Sequence, residues 1–169
     1  MKHPQNLFLI GPMGAGKSAV GRQLARTLHL TFVDSDDEVE SRTGVDIPFI
    51  FEKEGEEGFR KREARVIDEL SAREGVILAT GGGAVVDAQS RSYLGARGFV
   101  VYLYTTVEQQ LSRTQKGRER PLLENGDRSR ILEDLMAVRD PMYREIADLI
   151  VETDGRKVKA VANEILEKL

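Results

Sequence analysis

The feature that most constrains this fold is the junction over residues 7–18. Leu7-Phe8-Leu9-Ile10 is a continuous apolar run that stops at a glycine, the pattern of a strand buried on both faces. Gly11-Pro12-Met13-Gly14-Ala15-Gly16-Lys17-Ser18 follows and fits the spacing G-x-x-x-x-G-K-[ST]. Behind it, Val20, Leu24, Ala25 and Leu28 recur at helical spacing. A strand buried on both faces needs helices above and below it, so the junction commits the chain to α/β layering. The glycines allow the backbone to curl until its N–H groups face inward around a phosphate, and the helix N-terminus adds unpaired donors. Lys17 can reach terminal phosphates and the Ser18 hydroxyl can ligate magnesium. Gly14, Ala15, Gly16, Lys17, Ser18 and Ala19 are therefore the candidate nucleotide-binding residues. A glycine-rich turn without a ligand is the alternative, and a strand and a helix in register on either side argue against it. The loop says nothing about what receives the phosphate.

Further apolar runs at Thr31–Asp34, Val76–Thr80, Phe99–Tyr104 and Leu149–Val151 predict four more strands. Helical patterns lie between them, with Phe59, Val66, Ile67 and Leu70 on one face. A last helix is predicted with Val158, Val161, Ala162, Ile165 and Leu169 facing inward. Strands alternating with helices imply right-handed crossovers and a parallel sheet, with ligands beyond the carboxyl ends of the strands. Arg113 to Asp127 is polar, carries Gly117, Pro121 and Gly126, and is long for a structureless loop, which marks it as functional or disordered. The 25 basic and 28 acidic residues give a net charge of −3, too even to draw the chain to nucleic acid or an anionic membrane. With no cysteine, disulfides and thiolate metal sites are excluded. The apolar run at 7–10 is too short for a signal peptide or a membrane span, so a cytoplasmic chain with one domain over 1–169 is expected.

On the acceptor side, Asp34-Ser35-Asp36 ends the second strand on the same edge as the glycine loop. One carboxylate there can hold magnesium while another accepts a proton from a hydroxyl. A helix cap with acidic first-turn residues explains the same string equally well. Gly81-Gly82-Gly83 ends the third strand and permits close approach of a ligand to the backbone. Arg60 reads from its neighbours as a helix-surface arginine paired with Glu56 or Glu63. Pro141 is expected to interrupt a helix, with Arg139 projecting from the break.

Taken in order, GPMGAGKS at 11–18, DSD at 34–36, EEGFRKRE at 56–63, TGGG at 80–83, RPLL at 120–123 and RDPMY at 139–143 resemble the shikimate kinase family over nearly the whole chain. The resemblance implies a P-loop fold of the nucleoside-monophosphate-kinase type. Its five-stranded parallel sheet would run in the order 2-3-1-4-5, with helices on both faces and a mobile lid over about residues 113–124. It implies transfer of phosphate from ATP to the 3-hydroxyl of shikimate in aromatic amino-acid biosynthesis, with Mg2+. A cytoplasmic monomer without nucleic-acid or membrane partners follows from the same resemblance.

By that resemblance Asp36 holds substrate hydroxyls and assists proton removal, while Asp34 and Ser18 lie near the metal. Arg60 and Arg139 bind the substrate carboxylate, and the backbone of Gly81, Gly82 and Gly83 completes the pocket. Lys17 and Arg120 act on the transferred phosphate, and Arg113 and Arg156 flank the adenine. One position departs from the family pattern: Ala19 stands where threonine is usual, so a hydroxyl toward the α-phosphate is missing. A gluconate-kinase-like enzyme and a non-catalytic nucleotide-binding module are the competing readings. The first would not need DSD, TGGG and the two arginines together, and the second is disfavoured because Lys17, Asp36 and Arg120 are all present.

Overall fold

The computed structural model describes residues 5–114 and 127–169; Arg120 and the part of the expected lid beyond Thr114 lie outside the described residues. Five strands form one sheet: β1 (Leu7–Ile10), β2 (Thr31–Asp34), β3 (Val76–Ala79), β4 (Phe99–Tyr104) and β5 (Leu149–Glu152). Their order is β2-β3-β1-β4-β5 and every neighbouring pair is parallel, as expected. Seven α-helices are described: α1 (Lys17–Leu28), α2 (Ser35–Thr43), α3 (Ile47–Ser71), α4 (Ala88–Arg97), α5 (Val107–Thr114), α6 (Arg128–Ile146) and α7 (Val158–Lys168).

The central strand shows why its sequence has no polar alternation. All four β1 side chains are fully buried, and they point by turns into two different cores. Leu7 and Leu9 pack with Val20 and Leu24 of α1 and with Val161 and Ile165 of α7. Phe8 and Ile10 pack with Ile67 and Leu70 of α3, Leu94 of α4 and Tyr143 of α6. Burying one such side chain contributes about 1.5–3 kcal/mol, so a polar residue at any β1 position would disturb one core or the other. Because all strands run the same way, their carboxyl ends share one edge. Gly11, Ser35, Thr80, Thr105 and Thr153 are the residues that follow those ends.

Local chemistry fixes where the helices begin. Asp34, Asp46, Asp87 and Asp127 cap α2, α3, α4 and α6, each accepting backbone N–H groups of the first turn. Gly16 precedes α1 at φ 88°, a conformation that glycine adopts without steric cost.

Two expectations are corrected. Pro141 does not end its helix, since α6 runs through it to Ile146. Side chains on both sides of the proline are anchored: Asp140 accepts from the Tyr102 hydroxyl (2.7 Å), and Tyr143 is buried against the Tyr102 ring. Those contacts offset the backbone hydrogen bond that proline forfeits. Arg139 thus projects from an intact helix. Val158 is 39% exposed, because it opens α7 directly after its cap and lines a cavity instead of the core. The helix α3 that carries Phe59, Val66, Ile67 and Leu70 contains Gly55 at φ 73°, ψ 178°, a break in helical geometry that Arg62 staples by two 2.7 Å bonds to Glu54.

Candidate active site

The loop after β1 is held together by its own lysine. Lys17 Nζ donates to the carbonyl oxygens of Gly11 (2.6 Å) and Pro12 (2.8 Å), so the ammonium group already lies against the loop. Ser18 follows at the start of α1, and its hydroxyl donates to Asp34 Oδ2 at 2.6 Å. The other oxygen of Asp34 accepts the N–H groups of Asp36 (2.9 Å) and Asp37 (3.2 Å). The helix-cap reading of the D-S-D string is met by one oxygen of Asp34, while the other faces the loop. The Ser18 hydroxyl and the Asp34 carboxylate are hard oxygen donors of the kind magnesium takes together with phosphate and water ligands. Among the described residues no group of three or more His, Cys, Asp or Glu side chains could hold a metal unaided.

A cavity of about 450 Å³ joins the glycine loop and Ala19 to Asp34, Asp36, Gly81 and Gly82. Ala19 is exposed there, on the first turn of α1, with no hydroxyl to offer. A second cavity of about 380 Å³ opens beyond it, between Gly16, Val20, Thr153, Arg156 and Val158. Arg113 borders both. It donates to Gly14 O (2.8 Å) and Thr153 O (3.3 Å), tying the loop to the end of β5. Arg156 lines the second cavity while paired with Glu164 at 2.7 Å. These two arginines are thus placed together at the end away from Asp36.

The acceptor end is built around the glycine turn after β3. A Cβ at Gly81 would lie 2.7 Å from Asp36 Oδ1 and 2.9 Å from Glu63 Oε2, and one at Gly83 would run into the Arg60 guanidinium. At Gly82 it would lie 3.3 Å from the Met13 nitrogen and 3.6 Å from Arg139 Nη1. The three glycines are a requirement of close approach: charged groups from α2, α3 and α6 crowd the backbone from several sides. Ser35, buried beside Asp36, accepts the Gly81 N–H at 3.0 Å and fixes the start of the turn.

Arg60 makes the helix pairs expected of it, to Glu63 (2.8 Å) and Glu56 (3.4 Å), yet only one of these partners is at the surface. Glu63 is 3% exposed, and among the described residues its Oε2 and the Arg60 Nε are buried without a hydrogen-bond partner. Burial pushes the Glu63 carboxyl above the usual carboxylate range, while Arg60 and Arg139 draw it back. Burial also pulls Arg139 below the ordinary guanidinium value, and the nearby positive charge of Arg60 adds to that. Arg60 and Arg139 lie near enough for their charges to act on one another, and guanidinium groups so placed have the forked donors that suit a planar anion.

Every expected site residue within the described part falls at this edge of the sheet. Glu63, Ser35 and Tyr143 were given no site role by the sequence reading. Spacing held the signal for two of them: Glu63 lies three residues after Arg60 and Tyr143 four after Arg139, so each shares a helix face with its arginine.

Known proteins match this geometry. The family model described as shikimate kinase matches residues 13–169. A shikimate kinase of Shewanella frigidimarina is 57% identical over 169 residues, spanning 100% of this chain and 99% of that protein. A solved structure of shikimate kinase from Acinetobacter baumannii, in complex with shikimate, superposes with a TM-score of 0.95 at 51% identity, covering 97% of this chain and 92% of that one. A gluconokinase from Sinorhizobium meliloti (TM-score 0.61, 16% identity, covering 99% and 92%) shares the fold alone. The chain belongs to the shikimate kinase family.

Proposed function

We infer that this chain transfers the γ-phosphoryl group of ATP to the 3-hydroxyl of shikimate, giving shikimate 3-phosphate and ADP for aromatic amino-acid synthesis. The observation that carries the reading is the placement of a carboxylate, Asp36, and two guanidinium groups, the half-buried Arg60 and the buried Arg139, around one glycine turn that borders the phosphate loop. Shikimate carries a ring carboxylate and hydroxyls, which this arrangement can bind at opposite ends. The two arginines hold the carboxylate, and Asp36 accepts the proton of the attacking hydroxyl. The hydroxyl oxygen bonds to the γ-phosphorus as the bond to ADP breaks, and Lys17 with the loop N–H groups stabilises the charge on the phosphoryl oxygens. Ser18 and Asp34 would hold Mg2+, which when bound neutralises phosphate charge. Arg113 and Arg156 border the cavity assigned to the nucleobase. Arg120 keeps its expected role at the transferred phosphate as part of this proposal.

The working unit in this reading is a monomer with one domain, because Asp36, Arg60 and Arg139 all come from one chain around one sheet. The compartment is the cytoplasm; among the described residues no helix is long and apolar enough to cross a membrane.

The direct test is ADP release with shikimate, gluconate and nucleoside monophosphates as acceptors. Shikimate alone is expected to support turnover; preference for gluconate would make this a sugar-acid kinase. Arg60→Ala and Arg139→Ala are each expected to weaken shikimate binding by about 1.5–3 kcal/mol, on the order of ten- to a hundred-fold, with ATP affinity little changed. Unchanged shikimate affinity in both variants would remove the carboxylate from the argument.

A further inference from the structure

Tyr143 is 1% exposed, and its ring packs against Tyr102 at 4.7 Å between centroids. Phenylalanine would fill that space equally well, so the hydroxyl needs its own explanation. A buried hydroxyl is kept only where it is satisfied, and here both polar neighbours belong to the acceptor site. The Tyr143 hydroxyl donates to the carbonyl oxygen of Gly82, and the Arg139 guanidinium lies beside both, its Nη1 3.6 Å from the place a Cβ would take at Gly82. The ring reaches this point from a well-anchored helix: Asp140, three residues earlier, accepts from Tyr102 of β4 at 2.7 Å and from Arg144 at 2.9 Å. The glycine turn is already fixed at Gly81 by Ser35. Tyr143 supplies the second attachment, one residue later and from the opposite direction in sequence.

We propose that Tyr143 is a positioning residue of the acceptor site, its hydroxyl locking the Arg139 guanidinium to the Gly82 carbonyl so that both meet the substrate in one arrangement. The proposal rests on the reading of Arg139 as a carboxylate ligand. Without the hydroxyl, the Gly82 carbonyl has one partner fewer, and the Arg139 guanidinium beside it loses the polar neighbour that limits its rotation. The cost falls on acceptor binding, because the nucleotide end is bounded by other residues.

The test is Tyr143→Phe, alone and combined with Arg139→Ala, with Michaelis constants for both substrates and melting temperature measured on each. Tyr143→Phe is expected to raise the shikimate constant about ten-fold, the upper end of what one buried hydrogen bond contributes. The ATP constant is expected to stay within about two-fold. In the Arg139→Ala background the same change is expected to do almost nothing further, since its effect runs through Arg139. A merely structural hydroxyl would lower the melting temperature in both backgrounds and leave the shikimate constant alone, and that result overturns the proposal. An Arg139→Ala chain with normal shikimate affinity would overturn the carboxylate reading itself, a different failure. If Tyr143→Phe does not fold, 3,5-difluorotyrosine at this position keeps ring and hydroxyl while weakening the oxygen as an acceptor. A shikimate constant equal to the parent's then overturns the proposal.

Discussion

Asp36→Asn is expected to lower shikimate-dependent turnover by about 10²–10⁴-fold, the usual range for loss of a positioned base. The amide has nearly the same shape but cannot accept the hydroxyl proton, and it presents a donor where the hydroxyl must donate. The change should be quiet in the fold. Asp34, not Asp36, caps α2, and the charge lost from the first helical turn costs about 0.3–1 kcal/mol. Single-turnover rates at saturating ATP and shikimate, measured beside the melting temperature, separate the two effects. A rate within a few-fold of the parent would return Asp36 to a helix-end residue with no part in proton transfer.

Lys17→Met is expected to cost on the order of 10²–10³-fold or more in turnover, comparable with or beyond removal of a single neutral donor from a transition-state site. Methionine preserves length and helix propensity while deleting the charge. The loop also loses the two carbonyl contacts of the ammonium group, which makes a fall of a few degrees in melting temperature the roughly expected structural cost. Nucleotide binding measured by titration should weaken less than turnover, because the charge matters most where phosphoryl charge develops. Turnover within about ten-fold of the parent would show that the backbone N–H groups carry the loop's function alone.

Much of this architecture was legible in the chain because three strands are buried on both faces. Leu7–Ile10, Val76–Ala79 and Phe99–Tyr104 have no solvent side to interrupt their apolar runs. The phosphate loop was legible for a similar reason: its chemistry is local, and Gly11 to Ser18 carry all of it in order. What local pattern hides is competition between a rule and the tertiary contacts that override it. Proline ends most helices, yet α6 continues because Asp140 and Tyr143 are held from elsewhere in the chain. The acceptor site was only half readable for the same reason. Arg60 looked like a surface arginine because its two glutamates lie one helical turn away on either side, and nothing local says that Glu63 is buried while Glu56 is not. Tyr143 and Gly82 stand 61 residues apart, and no spacing rule connects them.

The strand order separates the two tasks of the edge. In the proposed reading Arg113 and Arg156 follow β4 and β5, Asp36 and Gly82 follow β2 and β3, and the phosphate loop follows β1 between them. Arg139 reaches the acceptor end from α6, between β4 and β5. The connection from β2 to β3, which is α2 and α3, supplies Asp36, Arg60 and Glu63. In this reading a lineage carrying the scaffold can acquire a new acceptor by changing that crossover around a retained Asp36, together with the α6 residues that meet it, while donor binding is inherited unchanged. Engineering has the same shortcut: a library confined to residues 37–71 and to the inward face of α6, with Asp36 kept, searches acceptor choice.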